Sequence, residues 1–319
     1  MTGDIVLTGI GALSPAGGTA AFFRALGDGA ARRERNAGST ELPAGGLTEL
    51  LGIKSPKLQI TRYLDPVSKN AIVAVEEAMA EARIAADAVA QDPYGFGIVL
   101  AATRGPGTTR EKAYEQFRAR EGKLLSSTLF SNFGYNIAAA TAAMAHGIKG
   151  PNLTVAGRAN LSIHLFRRAR QLLTTRRAHT VFAGFSECFP RSQGRTPRLL
   201  KEWACIFSLE RADRARARGV TAGFAVAETE LDRPRPDRFP AGRAYRLPFP
   251  LPQPFPAASL AAAESIELDF VEPAEIGPEH LPLIQAGRIN VAQLPEKESC
   301  VAFPVPTRTG LSLLAVARL

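Results

Sequence analysis

The chain has 319 residues, 45% of them hydrophobic and 22% charged, an ordinary globular composition with room for one large α/β unit or two joined halves. Its formal net charge of +9 gathers in arginine runs such as RADRARAR (Arg211–Arg218). With no interleaved aromatics and no known binding motif, these read as solvated helix faces or a surface for an acidic partner, not a nucleic-acid interface. No apolar run is long enough to span a bilayer, no basic segment precedes an apolar one at the N-terminus, and Cys188, Cys205 and Cys300 form neither a CxxC pair nor a disulfide framework, so a cytoplasmic protein off the membrane is expected.

In chain order, DIVLTGIGALSP predicts a short apolar strand at Ile5–Leu7 followed by a glycine-punctuated turn. TAAFFRALGDG predicts a helix stopped by Gly27 and Gly29, and residues 30–60 read as loop-rich. The segment Pro66–Arg83 sets Ala71, Val75, Ala78, Met79 and Ala82 on one helical face. YGFGIVLAATRG predicts a central apolar strand closed by Gly105, and FSNFGYNIAAATAAMAHG a small-residue helix suited to close packing. GPNLTVAGRANLSIHLFRRARQLL, Gly150–Leu173, then reads as a strand turning sharply into an amphipathic helix. On that helix Leu161, Leu165, Phe166, Ala169, Leu172 and Leu173 recur at helical spacing, while Arg167, Arg168 and Arg170 fall elsewhere.

HTVFAGFSE, CIFSLERADRARARG and TAGFAVAETELD complete a first half, residues 1–231. Beyond Asp232, RPRPDRFPAGRAYRLPFPLPQPFP is dense in proline and reads as an extended connection over the surface. A short helix near AASLAAAE, a strand SIELDFV and a terminal pair, SCVAFPV and GLSLLAVARL, make up a shorter second half, residues 232–319. Strands alternating with helices argue for an α/β sheet with helices on its faces.

An elbow between strand and helix is a place for a nucleophile. Here its tip offers Gly157, Arg158, Ala159 and Asn160, none of which attacks.

These segments, in this order over most of residues 4–231, resemble the β-ketoacyl synthase family of the thiolase fold. VLTGIGALSPAG is similar to its opening strand and turn. NIAAATAAMAHGIKGPNLTV and FRRARQLLTTRRAHTVFAGFSE are similar to its helix, elbow strand, following helix and next strand, and EWACIFSLERADRARARG to the segment closing that half. The resemblance implies a layered αβαβα architecture, complete in the N-terminal half and abbreviated in the C-terminal half. It also implies a chemistry that needs an elbow cysteine to carry the acyl chain. Two histidines, or a histidine and an asparagine, would assist decarboxylation, and backbone N–H groups would hold the oxyanion.

In this sequence the cysteine position is Ala159 and the first histidine position falls on Ala274. The second histidine's segment has no counterpart. Pro304 to Thr309 replace the glycine-rich oxyanion loop, where Pro304 and Pro306 have no N–H to donate. No catalytic residue of its own is therefore expected, nor a metal or a cofactor; GALSPAGG lacks the dinucleotide-binding pattern. His146, His179 and His280 have no metal-ligand spacing.

A ketosynthase-like chain without its chemistry resembles the chain-length-factor subunits of type II polyketide systems. The resemblance implies a heterodimer with an active β-ketoacyl synthase, an acidic acyl carrier protein as further partner, and an acyl tunnel along the shared interface. Ile137, Asn152, Leu153, Thr154 and Val155 are the expected dimer contacts. Phe130, Phe133 and Tyr135 are expected to close the tunnel, unless they fill this subunit's own core. Two other readings stay open: an acyl-transferring or hydrolytic enzyme with a site relocated to Cys188 or His164, and a homodimeric scaffold that binds acyl carrier protein. The bland reading of Cys188 is a buried hydrophobe and of His164 a packed or surface histidine. Glu187 is expected to serve as a structural hydrogen-bonding group.

Overall fold

The computed structural model describes residues 5–27, 42–43, 45–60, 63–123, 126–157, 161–189, 202–220, 224–232, 244–248, 255–256, 264–266, 299–307 and 310–318; beyond residue 220 the description is of the backbone. The strands are β1 Ile5–Leu13, β2 Phe96–Ala102, β3 Asn152–Ala156, β4 Thr180–Cys188, β5 Glu202–Arg211, β6 Phe224–Asp232, β7 Ala244–Pro248, β8 Phe255–Pro256, β9 Glu264–Ile266, β10 Ser299–Thr307 and β11 Gly310–Arg318. The helices are α1 Thr19–Gly27, α2 Leu47–Leu50, α3 Pro66–Glu81, α4 Ala86–Gln91, α5 Gly107–Ala119, α6 Ser127–Ser131, α7 Ile137–His146, α8 Leu161–Thr174 and α9 Ala212–Ala217, with a 3-10 turn at Pro56–Gln59.

The strands form one mixed sheet in the order β3-β2-β4-β5-β1-β6-β11-β10-β7-β9, with β8 beside β6. Strand β2 runs parallel to both β3 and β4, so the chain must cross over between them, and it does so through helices, as parallel pairing requires. The class is α/β, as the alternation of elements predicts. Helices α1 and α8 pack Phe22, Phe23, Leu165, Phe166 and Ala169 against Val99, Ala101, Val181, Phe185 and Trp203 on one face. On the other face, α3 and α7 pack Ala71, Ala74, Ala78, Ala139 and Ala142 against Ile98, Leu100, Phe182 and Ile206. The predicted face of α3 is the buried one: Ala71, Val75, Ala78, Met79 and Ala82 all lie in this core.

Several elements differ from the sequence expectation. Strand β1 does not stop at Leu7; it continues to Leu13 with a bulge between Leu7 and Gly9. The glycines are there for close packing, not for a turn. A Cβ at Gly11 would lie 1.9 Å from the Ala74 carbonyl oxygen, and one at Gly9 2.4 Å from that of Ala78, so only glycine lets α3 lie this close. Among the described residues, strand β1 pairs with β6 over Ile5–Leu7. Past that point its N–H groups find carboxylates of α3: Ile10 donates to Glu81, and Ala12 to Glu77 at 3.2 Å and to Thr19 Oγ1 at 2.9 Å. A buried backbone donor must be paired somewhere, and burial in turn raises both glutamates above the usual carboxylate range.

The small-residue helix splits into α6 and α7, interrupted where Asn132, Gly134 and Asn136 favour turn over helix. Helix α5 escapes the apolar pattern because only Gly107, Thr109 and Ala113 of it are buried. Short helical turns at Leu47–Leu50 and Pro56–Gln59 lie within the stretch expected to be loop. The proline-rich connection contains strands β7 and β8. Its Pro248 pairs at the end of β7 with Ser299, a position where a missing ladder donor is tolerated. Of the expected helix near AASLAAAE and strand SIELDFV, the described residues Glu264–Ile266 form β9.

The terminal pair is a β10–β11 hairpin closed at Thr307 and Gly310. Its β10 includes Pro304 and Pro306, beyond the Ser299–Ala302 ladder with β7.

Candidate functional site

The elbow is built by β3, which leaves the sheet beside β2, and by α8, whose apolar stripe anchors it to the core. The Gly157 N–H donates to the Ala102 carbonyl at 3.3 Å, tying the turn to the end of β2. Beside it, fully buried Glu187 at the end of β4 accepts a 2.7 Å hydrogen bond from the Thr103 N–H. This carboxylate joins the ends of β4 and β2, the structural role expected of it. Ala159 at the elbow tip and Ala274 lie outside the described residues, as do His280 and Thr309.

The relocated-site reading needs Cys188 or His164 to act, and the structure keeps them apart. Cys188 is buried in the core on the α3–α7 face, 3.1 Å from Thr108 Oγ1. Burial pushes its thiol well up, and the charges of Glu202 and Asp65 push it further. A thiol held protonated is a poor nucleophile. Cys205 is fully buried on the opposite face and is raised by burial as well. His164 is exposed on α8, which covers the α1–α8 face, so the sheet lies between it and Cys188. His146 is buried at the end of α7 and His179 sits at the start of β4 against Asp92. Among the described residues, no group of three or more His, Cys, Asp or Glu could hold a metal ion.

The expected dimer contacts come together at one edge. Strand β3 ends the sheet path, pairing with β2 on one side. Leu153 is 38% exposed, a large apolar side chain on an edge that no strand among the described residues covers. Asn152 is exposed too, and its side chain donates to the Ala139 carbonyl of α7 at 3.0 Å, joining helix to strand. The Thr154 hydroxyl is buried, with no hydrogen-bond partner among the described residues. Val155 packs inward against the α8 core, and Ile137 against the α3–α7 core. Only part of the expected set is therefore displayed.

Phe130, Phe133 and Tyr135 do not fill this chain's own core. They are 69%, 39% and 40% exposed, on α6 and the turn that follows it. A feature the sequence reading missed holds two of them. Arg110 of α5 places its guanidinium carbon 4.4 Å from the Tyr135 ring centroid and 5.9 Å from that of Phe133. Tyr114 and Phe117 of α5 are also exposed. Two aromatics three residues apart on an otherwise polar helix are the signal that would have found them.

The chain matches the family model described as "Beta-ketoacyl synthase, N-terminal domain" over residues 51–228. A search of curated proteins returned no match. Among solved structures, "The ishigamide ketosynthase/chain length factor" is similar at TM-score 0.62 and 20% identity, covering 99% of both chains. A chain of a type II polyketide synthase complex, an acyl-carrier protein with its ketosynthase bound to the hexaketide, is similar at TM-score 0.63 and 13% identity, over 99% of this chain and 100% of that one. A β-ketoacyl synthase from Burkholderia phymatum STM815 is similar at TM-score 0.60 and 14% identity, again over 99% and 100%. The fold is thus the thiolase-like ketosynthase fold. Since the family model alone spans more than half of its length, this chain belongs to the β-ketoacyl synthase family.

Proposed function

We propose that the chain is a non-catalytic, chain-length-factor-like subunit that pairs with an active ketosynthase in type II polyketide or fatty-acid-like biosynthesis and shapes the acyl tunnel between them. One feature carries this reading: the chain keeps the β3–α8 elbow, and the position that the resemblance gives to the nucleophile is an alanine, Ala159. The buried, protonated thiols of Cys188 and Cys205 support it, because neither offers a substitute nucleophile. The open edge of β3 with Leu153 supports pairing, since a free edge bearing a large apolar side chain is normally covered. Exposed Phe130, Phe133 and Tyr135 support a role toward a partner's acyl chain, with bulk that limits growth sterically. The net charge of +9 suits an acidic carrier protein.

The test is co-expression with the ketosynthase of the same biosynthetic system and its carrier protein, sizing the complex and assaying products. A stoichiometric heterodimer that makes chains only when both subunits are present is expected. A stable homodimer that ignores the ketosynthase would favour the scaffold reading, and acyl turnover by the isolated chain would favour a relocated site.

A further inference from the structure

We propose that Arg110 is a positioning residue that fixes Tyr135, and beside it Phe133, at the surface where this subunit would meet the growing acyl chain; the proposal rests on the reading of the chain as a ketosynthase partner. Two segments meet at its guanidinium. Nη2 donates to the carbonyl of Arg104, just past β2, and Nη1 reaches Tyr135 Oη at 3.5 Å. The planar cation lies over the Tyr135 face with Phe133 at its margin, the arrangement in which a ring quadrupole attracts a cation.

Gly105 makes the room. It holds φ +59°, and a Cβ there would come 2.7 Å from Arg110 Nη2 and 3.0 Å from the Tyr135 ring. Among the described residues, no carboxylate pairs with Arg110 and its buried Nε has no hydrogen-bond partner. The carbonyl and the ring faces are what hold the charge. Both rings keep about two-fifths of their surface open, so Arg110 sets how they are presented.

Lysine cannot reproduce this contact, because a point charge lacks the planar fork that bonds a carbonyl while stacking on a ring. The full chain is labelled with 3-fluorotyrosine, and the Tyr135 signal, one of five tyrosines, is assigned with Y135F. In R110M and R110K the ¹⁹F signal of Tyr135 is expected to move toward the free-amino-acid position, with the melting midpoint held within a few degrees. In the reconstituted pair, both variants are expected to shift the product-length distribution in the direction that Y135A shifts it. An unmoved ¹⁹F signal in R110M overturns the clamp, and wild-type behaviour in R110K does the same. A moved signal with unchanged products in an active pair overturns the role toward the acyl chain. Should R110M unfold, R110K and Y135A carry the test. If the wild-type chain forms no active pair, the subunit reading fails, while the ¹⁹F result still decides whether Arg110 holds the ring.

Discussion

Asp65 and Thr109 join the starts of two helices through one carboxylate. Oδ1 of Asp65 caps α3 by accepting the Val67 N–H at 2.9 Å, while Oδ2 accepts both the Thr109 N–H at 2.9 Å and its hydroxyl at 2.6 Å in the first turn of α5. Pro66 at the first position of α3 completes an entry with no wasted donor. The side chain is fully buried, and burial holds its carboxyl above the usual range although these hydrogen bonds pull it down. Tyr63 extends the network, with its hydroxyl 3.0 Å from that of Thr109.

Asp65→Ala is therefore expected to cost about 3 kcal/mol, combining a lost cap with buried donors left unpaired. Asp65→Asn supplies only one acceptor oxygen for two helices and should cost about half as much. Thr109→Val keeps the backbone bond and should lose roughly 1 kcal/mol. Urea midpoints measure all three, and a wild-type midpoint for Asp65→Ala would remove the double cap from the stability of the fold.

His146 makes the fold sensitive to acid. Its imidazole is neutral, with Nε2–H donating to the Ile72 carbonyl at 2.9 Å and Nδ1 accepting from Lys57 Nζ at 2.9 Å. Lys57 in turn pairs with Glu76 at 3.4 Å. Burial, reinforced by the Lys57 charge, lowers its pKa from 6.5 to about 4. The unfolded chain takes up this proton near pH 6.5 and the folded chain only near pH 4, so the stabilisation is complete above 6.5 and lost as the pH falls through that window. The loss from this group is on the order of 3 kcal/mol. His146→Gln can still donate to Ile72 but does not titrate. Its urea midpoint should lack that part of the acid slope, and equal slopes for both proteins would place the titration elsewhere.

The parts of the fold legible in the sequence are those fixed by local periodicity. The α3 face, its start at Pro66 and the β3–α8 elbow follow from local sequence and apolar spacing, whereas the cap that Asp65 supplies was not read there. What escaped depends on neighbours distant in sequence. Gly9 and Gly11 look like turn residues until α3 is laid across them. Helix α5 looks polar because its buried side is only a few small residues wide. The burial of Phe133 and Tyr135 was undecidable from sequence, since an aromatic residue serves a core or a surface equally well, and Arg110 acts on them from some twenty-five residues away.

The thiols give a chemical prediction. With Cys188 and Cys205 buried and held protonated, neither should react with iodoacetamide or an acyl-carrier thioester in the native chain, and both should label once it is unfolded in urea. Intact and peptide mass spectrometry reads the sites. An acyl adduct on Cys188 that forms and turns over in the native protein would falsify the non-catalytic reading.

Leu153 and Val155 separate interface from core on one strand. They lie two residues apart on β3 and so share a face in register, yet Leu153 is 38% exposed while Val155 packs against the core under α8. The difference arises because α8 covers the strand toward the elbow and leaves its beginning open. An aspartate at 153 stays hydrated in the free chain, so Leu153→Asp should shift stability by no more than about 0.5 kcal/mol. Once a partner covers the edge, the same carboxylate must be buried without a counter-charge, and the complex should be lost. Val155 is partly buried against that core, so Val155→Asp sets its charge against apolar side chains in the free chain already and should destabilise it. The measurements are the melting midpoint of each purified variant and the amount that co-purifies with the ketosynthase. A folded Leu153→Asp chain absent from the complex supports the β3 edge as the interface. The same chain recovered in wild-type amounts would move the interface to another face.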